Sequence, residues 1–147
     1  MNINVNLNLD VISQIKSFYP KLFFKEIISF SDIKFPPENP NGPIEYKRTL
    51  SNCTPERGIK YATQMRWRIT ENKNNGLATY YIGLDDNGSI AGLSEEDMIN
   101  SIHSFVYIAS SIQASITYIQ IICANNLSIM KIGVKIKKIK DNFLVEF

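Results

Sequence analysis

Apolar and polar residues alternate from the first few positions: Ile3, Val5, Leu7 and Leu9 are each followed by Asn or Asp. That period of two predicts a half-buried strand. Asp10 then caps a short predicted helix that runs through Phe18 and is ended by Pro20, while Lys21 to Phe30 fits either a helix or a strand. Between Phe35 and Pro43, four prolines and a glycine exclude regular structure. The expected division is therefore an N-terminal arm (1–35), a Pro-rich linker (36–43) and an α+β module (44–141).

Within the module, Ile44 to Leu50 alternates as a strand, and Thr54-Pro55-Glu56 supplies an N-cap, a first-turn proline and an early acid for the helix dipole. The helix runs to about Glu71. Its expected core stripe is Ile59, Ala62, Met65 or Arg66, and Ile69; Arg57, Lys60, Gln64, Trp67, Arg68 and Glu71 fall on the other side. Asn72 to Gly76 breaks it. Ala78–Leu84 and Ser89–Leu93 flank Asn87-Gly88, the signature of a type I′ hairpin. Ser94 caps a second helix with Asp97 as the capping-box acceptor, and Met98, Ile102, Phe105 or Val106, Ala109 and Ile112 share its sheet-facing side. Ser115–Ala124 and Ser128–Lys140 are strands joined at Asn125-Asn126. The predicted order is β-α-β-β-α-β-β, an antiparallel or mixed sheet with helices on one face. Asn142 to Phe147 looks like the first strand of a further domain.

Composition narrows the partners. The chain has 147 residues, suited to one domain, and a net charge of only +2, so attraction to nucleic acid has to come from clustering of Lys and Arg. Cys53 and Cys123 are far apart and read as free thiols in a reducing compartment. The N-terminus has no basic n-region followed by an apolar run, and no window reaches the ~18 apolar residues of a membrane span. A cytoplasmic location follows as the expectation. The bias towards Ile, Asn and Lys resembles proteins from AT-rich genomes.

Candidate chemistry is sparse. His103 is the only histidine, and with two distant cysteines it cannot complete a zinc site. Turn chemistry accounts for Asp85-Asp86, and helix capping for Glu95-Glu96-Asp97. Neither cysteine lies in a local signature with His103. No catalytic residue, metal or cofactor is therefore expected. What remains is charge: Arg57, Lys60, Arg66, Trp67 and Arg68 combine an aromatic with cations, the pairing that stacks on bases and contacts phosphates. Trp67 also suits the edge of the core. Lys131, Lys135, Lys137, Lys138 and Lys140 form a second strip, with Lys131, Lys135 and Lys137 opposite the apolar Met130, Ile132, Val134 and Ile136; edge lysines also oppose strand aggregation. Phe143, Leu144, Val145 and Phe147 form an apolar tail suited to entering a partner.

Four blocks carry a resemblance: Pro36-Pro37-Glu38, Ile44-Glu-Tyr-Lys, Thr63-Gln-Met-Arg-Trp-Arg and Tyr81-Ile-Gly-Leu-Asp-Asp-Asn-Gly-Ser-Ile-Ala-Gly-Leu-Ser-Glu-Glu-Asp-Met. Across about residues 35–147 they resemble the region preceding the G domain in GTP-binding proteins 1 and 2, relatives of the elongation-factor GTPases. In that family the equivalent of Asn142–Phe147 continues into a phosphate loop; the Gly-x-x-x-x-Gly-Lys-Ser/Thr motif is absent from this sequence, so GTP hydrolysis does not carry over. A stand-alone chain of this size also resembles the small dormancy factors of microsporidian ribosomes. That likeness implies a non-catalytic ribosome-binding factor, touching ribosomal RNA and proteins and occupying a tRNA site such as the exit site. The alternative is a protein-interaction module that regulates a translational GTPase or an RNA-decay assembly.

Overall fold

The computed structural model describes residues 3–71 and 76–136, with the backbone alone for residues 3–6. Its elements are α1 (Ile3–Phe18), β1 (Ile28–Phe30), β2 (Ile44–Lys47), α2 (Pro55–Glu71), β3 (Leu77–Ile82), α3 (Glu95–Ser111), β4 (Ala114–Ala124) and β5 (Leu127–Ile136). The five strands form one mixed sheet in the order β1-β4-β5-β3-β2. β1 is parallel to β4 and β2 is parallel to β3, whereas β5 is antiparallel to both its neighbours. The fold is α+β, as expected, with the helices on one face.

The N-terminal strand is not found; residues 3–18 are one helix. Placed on a helix, the alternating Leu7 and Leu9 point away from the core and are 40% and 51% exposed, while Val11 and Ile15 are fully buried. An i, i+4 pair facing α3 and β4 outweighs a short period-two pattern, because most helical stability in proteins comes from tertiary packing of one face. Asn8 lies one turn earlier, and its Nδ2 donates to Cys123 Sγ at 3.0 Å. The ambiguous stretch after Pro20 is extended: Phe24 bridges Ile119, and β1 pairs Ile28 with Ile122.

Caps were the most reliable local signals. Thr54 Oγ1 accepts from the Arg57 amide at 3.2 Å, and Ser94 Oγ accepts from the Asp97 amide at 3.1 Å. The Asp97 carboxylate does not complete a capping box; its Oδ1 accepts from Ser51 Oγ at 2.9 Å and so ties the β2–α2 loop to α3. On α3 the expected face is buried, with Phe105 and Ile102 fully enclosed. On α2 the expected Met65 and Ile69 are buried and Ala62 packs against the core, but Gly58 and Arg68 are inside as well. Ile59, expected in the core, is 72% exposed. Gly58 faces α3 instead, where a Cβ would lie 3.8 Å from the Tyr107 ring.

The Asn87-Gly88 hairpin is also replaced. Only Gly88 takes positive φ (92°), so the turn is not type I′, and beyond it Leu84 and Ile90 make a single isolated bridge. Glycine is needed there for a second reason: an added Cβ would collide with the carbonyl oxygen of Phe35 and lie 2.7 Å from that of Pro36. The turn packs backbone against backbone on the Pro-rich segment. Positive φ at two successive residues occurs at Asn125 (52°) and Asn126 (69°), which join β4 to β5.

At the centre of these contacts is Arg68, whose side chain is 5% exposed. Its Nε donates to Glu45 Oε1 at 2.8 Å, Nη2 lies 3.5 Å from Glu38 Oε2, and Nη1 donates to the carbonyls of Asn39 and Gly42 at 3.1 and 3.0 Å. Glu38 Oε2 also accepts from the Tyr46 amide at 2.7 Å. Burial raises the Glu38 carboxyl above its ordinary value despite that amide, and the charges of Glu45 and Asp86 add to the rise. Beneath Arg68, Tyr80 is 3% exposed, and burial first, then the charge of Glu45, raises its hydroxyl.

Two outcomes follow for stability. Arg68→Met leaves Glu45 with Lys47 alone and Glu38 without its cation, and should cost about 3–5 kcal/mol in urea unfolding, only part of it regained in Arg68→Met, Glu45→Leu, which still strands Glu38 and Lys47. A Tyr80 pKa above that of the unfolded chain leaves stability intact below about pH 10 and removes it as pH rises further. The urea midpoint should therefore fall from about pH 8 to about pH 11, and fall less in Tyr80→Phe.

Candidate nucleic-acid interface

The expected basic positions divide between the two sides of the sheet. Arg57 and Lys60 are exposed on the first half of α2. They share a cleft of about 440 Å³ with Lys47, Arg48 and Tyr61. Lys47 is held there: its Nζ donates to Gln64 Oε1 at 2.8 Å, lies 3.3 Å from Glu45 Oε2 and sits 4.4 Å from the centre of the Tyr61 ring. Arg48 pairs with Asp85 at 3.1 Å but is 70% exposed, and such pairs contribute little. Further along α2, Arg66 is exposed and Trp67 is 40% exposed. Arg68 does not belong with them. Its donors are spent on Glu45, Glu38 and two carbonyls, so the group expected at a phosphate is a buried structural cation.

Lys131 and Lys135 lie on the opposite side. On β5, Met130, Ile132 and Val134 enter the core beneath the helices, which turns Lys131, Gly133 and Lys135 to the other face. The remaining expected residues, Lys137, Lys138 and Lys140 and the tail Phe143, Leu144, Val145 and Phe147, lie outside the described residues.

The face carrying Lys131 holds residues that sequence reasoning missed. Register places Gln120, Lys131, Tyr81 and Tyr46 in one row across four strands. The next row is Tyr118, Gly133, Thr79 and Ile44. Neither row contains an acid. Lys25 Nζ lies 3.8 Å from the centre of the Tyr118 ring, and Lys131 Nζ lies 5.7 Å from that of Tyr81. Gly133 is the floor of the second row: a Cβ there would strike Tyr118 Cε2 and come 2.8 Å from Cδ2, so the missing side chain lets the ring lie across β5. At one end of this face, Ile33, Phe35 and Ile90 pack over Ile122, Ala124 and Ile129. Beyond that small cluster no described helix covers the rows. The signal in sequence was the alternation of β5; finding Tyr118 needed the register, because β4 is irregular between Ile116 and Tyr118.

Other chemistry is modest. His103 Nδ1 and the Tyr19 hydroxyl are 2.7 Å apart, which ties α1 to α3. Cys53 and His103 line one pocket of about 320 Å³, but Cys53 Sγ turns to the Thr54 carbonyl at 3.7 Å and no hydrogen bond joins the two side chains. Among the described residues, no three His, Cys, Asp or Glu side chains come together to hold a metal, and no helix is long and apolar enough to cross a membrane.

Comparison with known proteins gives two kinds of relative. An uncharacterized protein of Acanthamoeba polyphaga mimivirus is 49% identical over 134 residues, a match covering 91% of this chain and 71% of that one. GTP-binding protein 2 of Mus musculus and of Homo sapiens is 41% identical over 85 residues, 58% of this chain. The match covers 14% of those proteins, so it concerns one segment of a much longer chain. The resemblance to GTP-binding protein 2 expected from the residue blocks therefore holds. No family model and no solved structure matches the chain.

Proposed function

The chain belongs to the family of that mimivirus protein; we propose that it is a non-catalytic, translation-associated factor that binds the ribosome through ribosomal RNA. The observation that carries the reading is the sheet face that no described helix covers, where Lys25 lies on the Tyr118 ring, Lys131 lies near Tyr81, Lys131 and Lys135 flank Gly133, and the strand rows contain no acid. A net charge of only +2 makes such clustering the relevant quantity. The similarity to a segment of GTP-binding protein 2 supports the translational setting, since the matching blocks resemble a region that precedes a G domain in relatives of the elongation factors. Likeness to small dormancy factors takes the reading one step further, to a tRNA site such as the exit site of inactive cytoplasmic ribosomes. The cleft of Arg57, Lys60, Lys47 and Arg48 supplies a second RNA contact on the helix side. No nucleotide or metal takes part.

A second reading, a protein-interaction module that regulates a translational GTPase or an RNA-decay assembly, is favoured by a different feature. Between α2 and α3 runs a groove of about 240 Å³ lined by Ile59, Ala62 and Tyr107 among others. Ile59 and Tyr107 are 72% and 68% exposed.

Salt separates the two readings, because RNA contacts release counterions and an apolar groove does not. In sucrose gradients the protein should travel with ribosomes at about 50 mM salt and be largely released by about 200 mM. Lys131→Glu, Lys135→Glu should release it at lower salt, whereas Ile59→Ser should leave it bound. Protein that stays in the light fractions beside intact ribosomes would overturn the ribosomal reading.

A further inference from the structure

We propose that the open sheet face takes unpaired, single-stranded RNA, with bases stacked on Tyr118 and Tyr81 and with Lys25 and Lys131 passing from the rings to the phosphates. The inference rests on the RNA reading above and names the form of RNA that this site accepts. Three observations lead to it.

The first is the attitude of the ring. One edge of the Tyr118 ring lies over Gly133, where an added Cβ would strike both that edge and Thr117 Oγ1, and Lys25 Nζ sits over the ring at 3.8 Å. A ring that takes a cation on its face is a surface for another flat group as well. The bases of an A-form duplex are stacked on one another and face inward, whereas those of a single strand can be splayed onto aromatic side chains. Duplex RNA would meet this face with phosphates and 2′-hydroxyls alone and would make no use of the rings.

The second is what sits on the rings now. Lys25 Nζ lies 3.8 Å from the Tyr118 ring centre, and the residue is exposed. Its main chain is anchored, the amide donating to the Ile119 carbonyl at 2.8 Å, so the side chain alone has to move. A cation on a half-buried surface ring is held weakly and is exchanged readily for a base, after which the ammonium is within reach of the phosphate attached to that base. Lys131 Nζ is farther from Tyr81, at 5.7 Å, and that half-buried ring also packs against Phe35 and Tyr46, with ring centres 5.7 and 5.9 Å away.

The third is spacing and charge. Tyr118 and Tyr81 lie on β4 and β3 with β5 between them and one row apart, about 10 Å across the strands and about 7 Å along them, or about 12 Å in all. Lys131 and Lys135, on that intervening strand, flank Gly133 on both sides. A polyanion that stacks on both tyrosines must cross β5, and it crosses where the cations are. An acidic protein segment would satisfy the lysines but would give the rings nothing flat to hold.

Fluorescence anisotropy on the full chain tests this with three labelled probes of equal length: a single-stranded oligouridine, a blunt RNA duplex and a strand of abasic riboses. The single strand should bind about tenfold more tightly than either of the others, and Tyr118→Leu should remove about that factor while leaving the abasic strand unaffected. Tyr118→Phe, which keeps the ring, should bind as the parent does. Gly133→Ala, whose Cβ presses on both the Tyr118 ring and Thr117, should weaken single-strand binding as well. Lys25→Met should lower the salt slope by about one. Equal affinity for all three probes, unchanged in Tyr118→Leu, would overturn the stacking inference while leaving the RNA reading in place. No binding of any probe at low salt would overturn both. Competition by polyglutamate but not by oligouridine would assign the face to an acidic protein segment instead.

Discussion

A buried guanidinium must be met on all sides, and in this protein the requirements of Arg68 determine how three separate stretches of chain come together. An uncompensated charge in the interior is far more costly than any single apolar contact is worth. Arg68 comes from α2, Glu45 from β2, and Glu38 with the carbonyls of Asn39 and Gly42 from the Pro-rich segment. Prolines remove amide donors from that segment, which therefore cannot join the sheet as an interior strand. Its carbonyls are taken by side chains instead: Arg68 binds two, and the Tyr46 hydroxyl donates to a third, that of Pro36, at 2.9 Å. A segment without regular structure is thereby given one path, and its outer turn closes on Gly88 and on Asp86, whose carbonyl accepts from the Glu38 amide at 2.7 Å.

That arrangement leaves the two sides of the sheet unequal. The main core, with Phe105, Ile102, Met65 and Ile132, lies between the sheet and the helices. The smaller cluster around Tyr46, Leu84 and Ile129 closes only one end of the opposite face. A sheet covered on one side normally exposes polar residues on the other. Here part of the uncovered area is aromatic and cationic, and Gly133 keeps it shallow. Glycine weakens a central strand, so its presence in the middle of β5 is explained by what has to lie above it.

Signals that a single turn of chain can satisfy held best, and those whose outcome depended on a distant partner held unevenly. Thr54-Pro55 and Ser94 start their helices because a cap needs only the next turn. Asn125-Asn126 turns the chain by its own backbone preference. The N-terminal helix was hidden because Val11 and Ile15 acquire meaning only when α3 and β4 lie beside them. Arg68 and Trp67 look alike in a run of basic and aromatic residues, and only carboxylates 23 and 30 positions earlier, Glu45 and Glu38, separate the buried cation from the exposed ring. Two residues of the candidate surface, Lys131 and Lys135, were visible as alternation along β5; Lys25, Tyr118 and Tyr81 joined them only through strand register and the irregularity in β4.

The strand order has a consequence for how the chain acquires its shape. β5 is the middle strand, yet it is the last of the described elements along the chain. β4 and β5 form a local hairpin through the two asparagines, and such pairs close in microseconds. Everything on the far side of the sheet is a long closure by comparison, since Ile28 meets Ile122 and Tyr80 meets Ile132. During synthesis α1 therefore emerges long before α3, and β1 has no strand to pair with until β4 has left the ribosomal tunnel. Assembly is in that sense late and concerted, so substitutions that weaken the Asn125-Asn126 turn should lengthen the time during which the N-terminal half is exposed to chaperones and proteases.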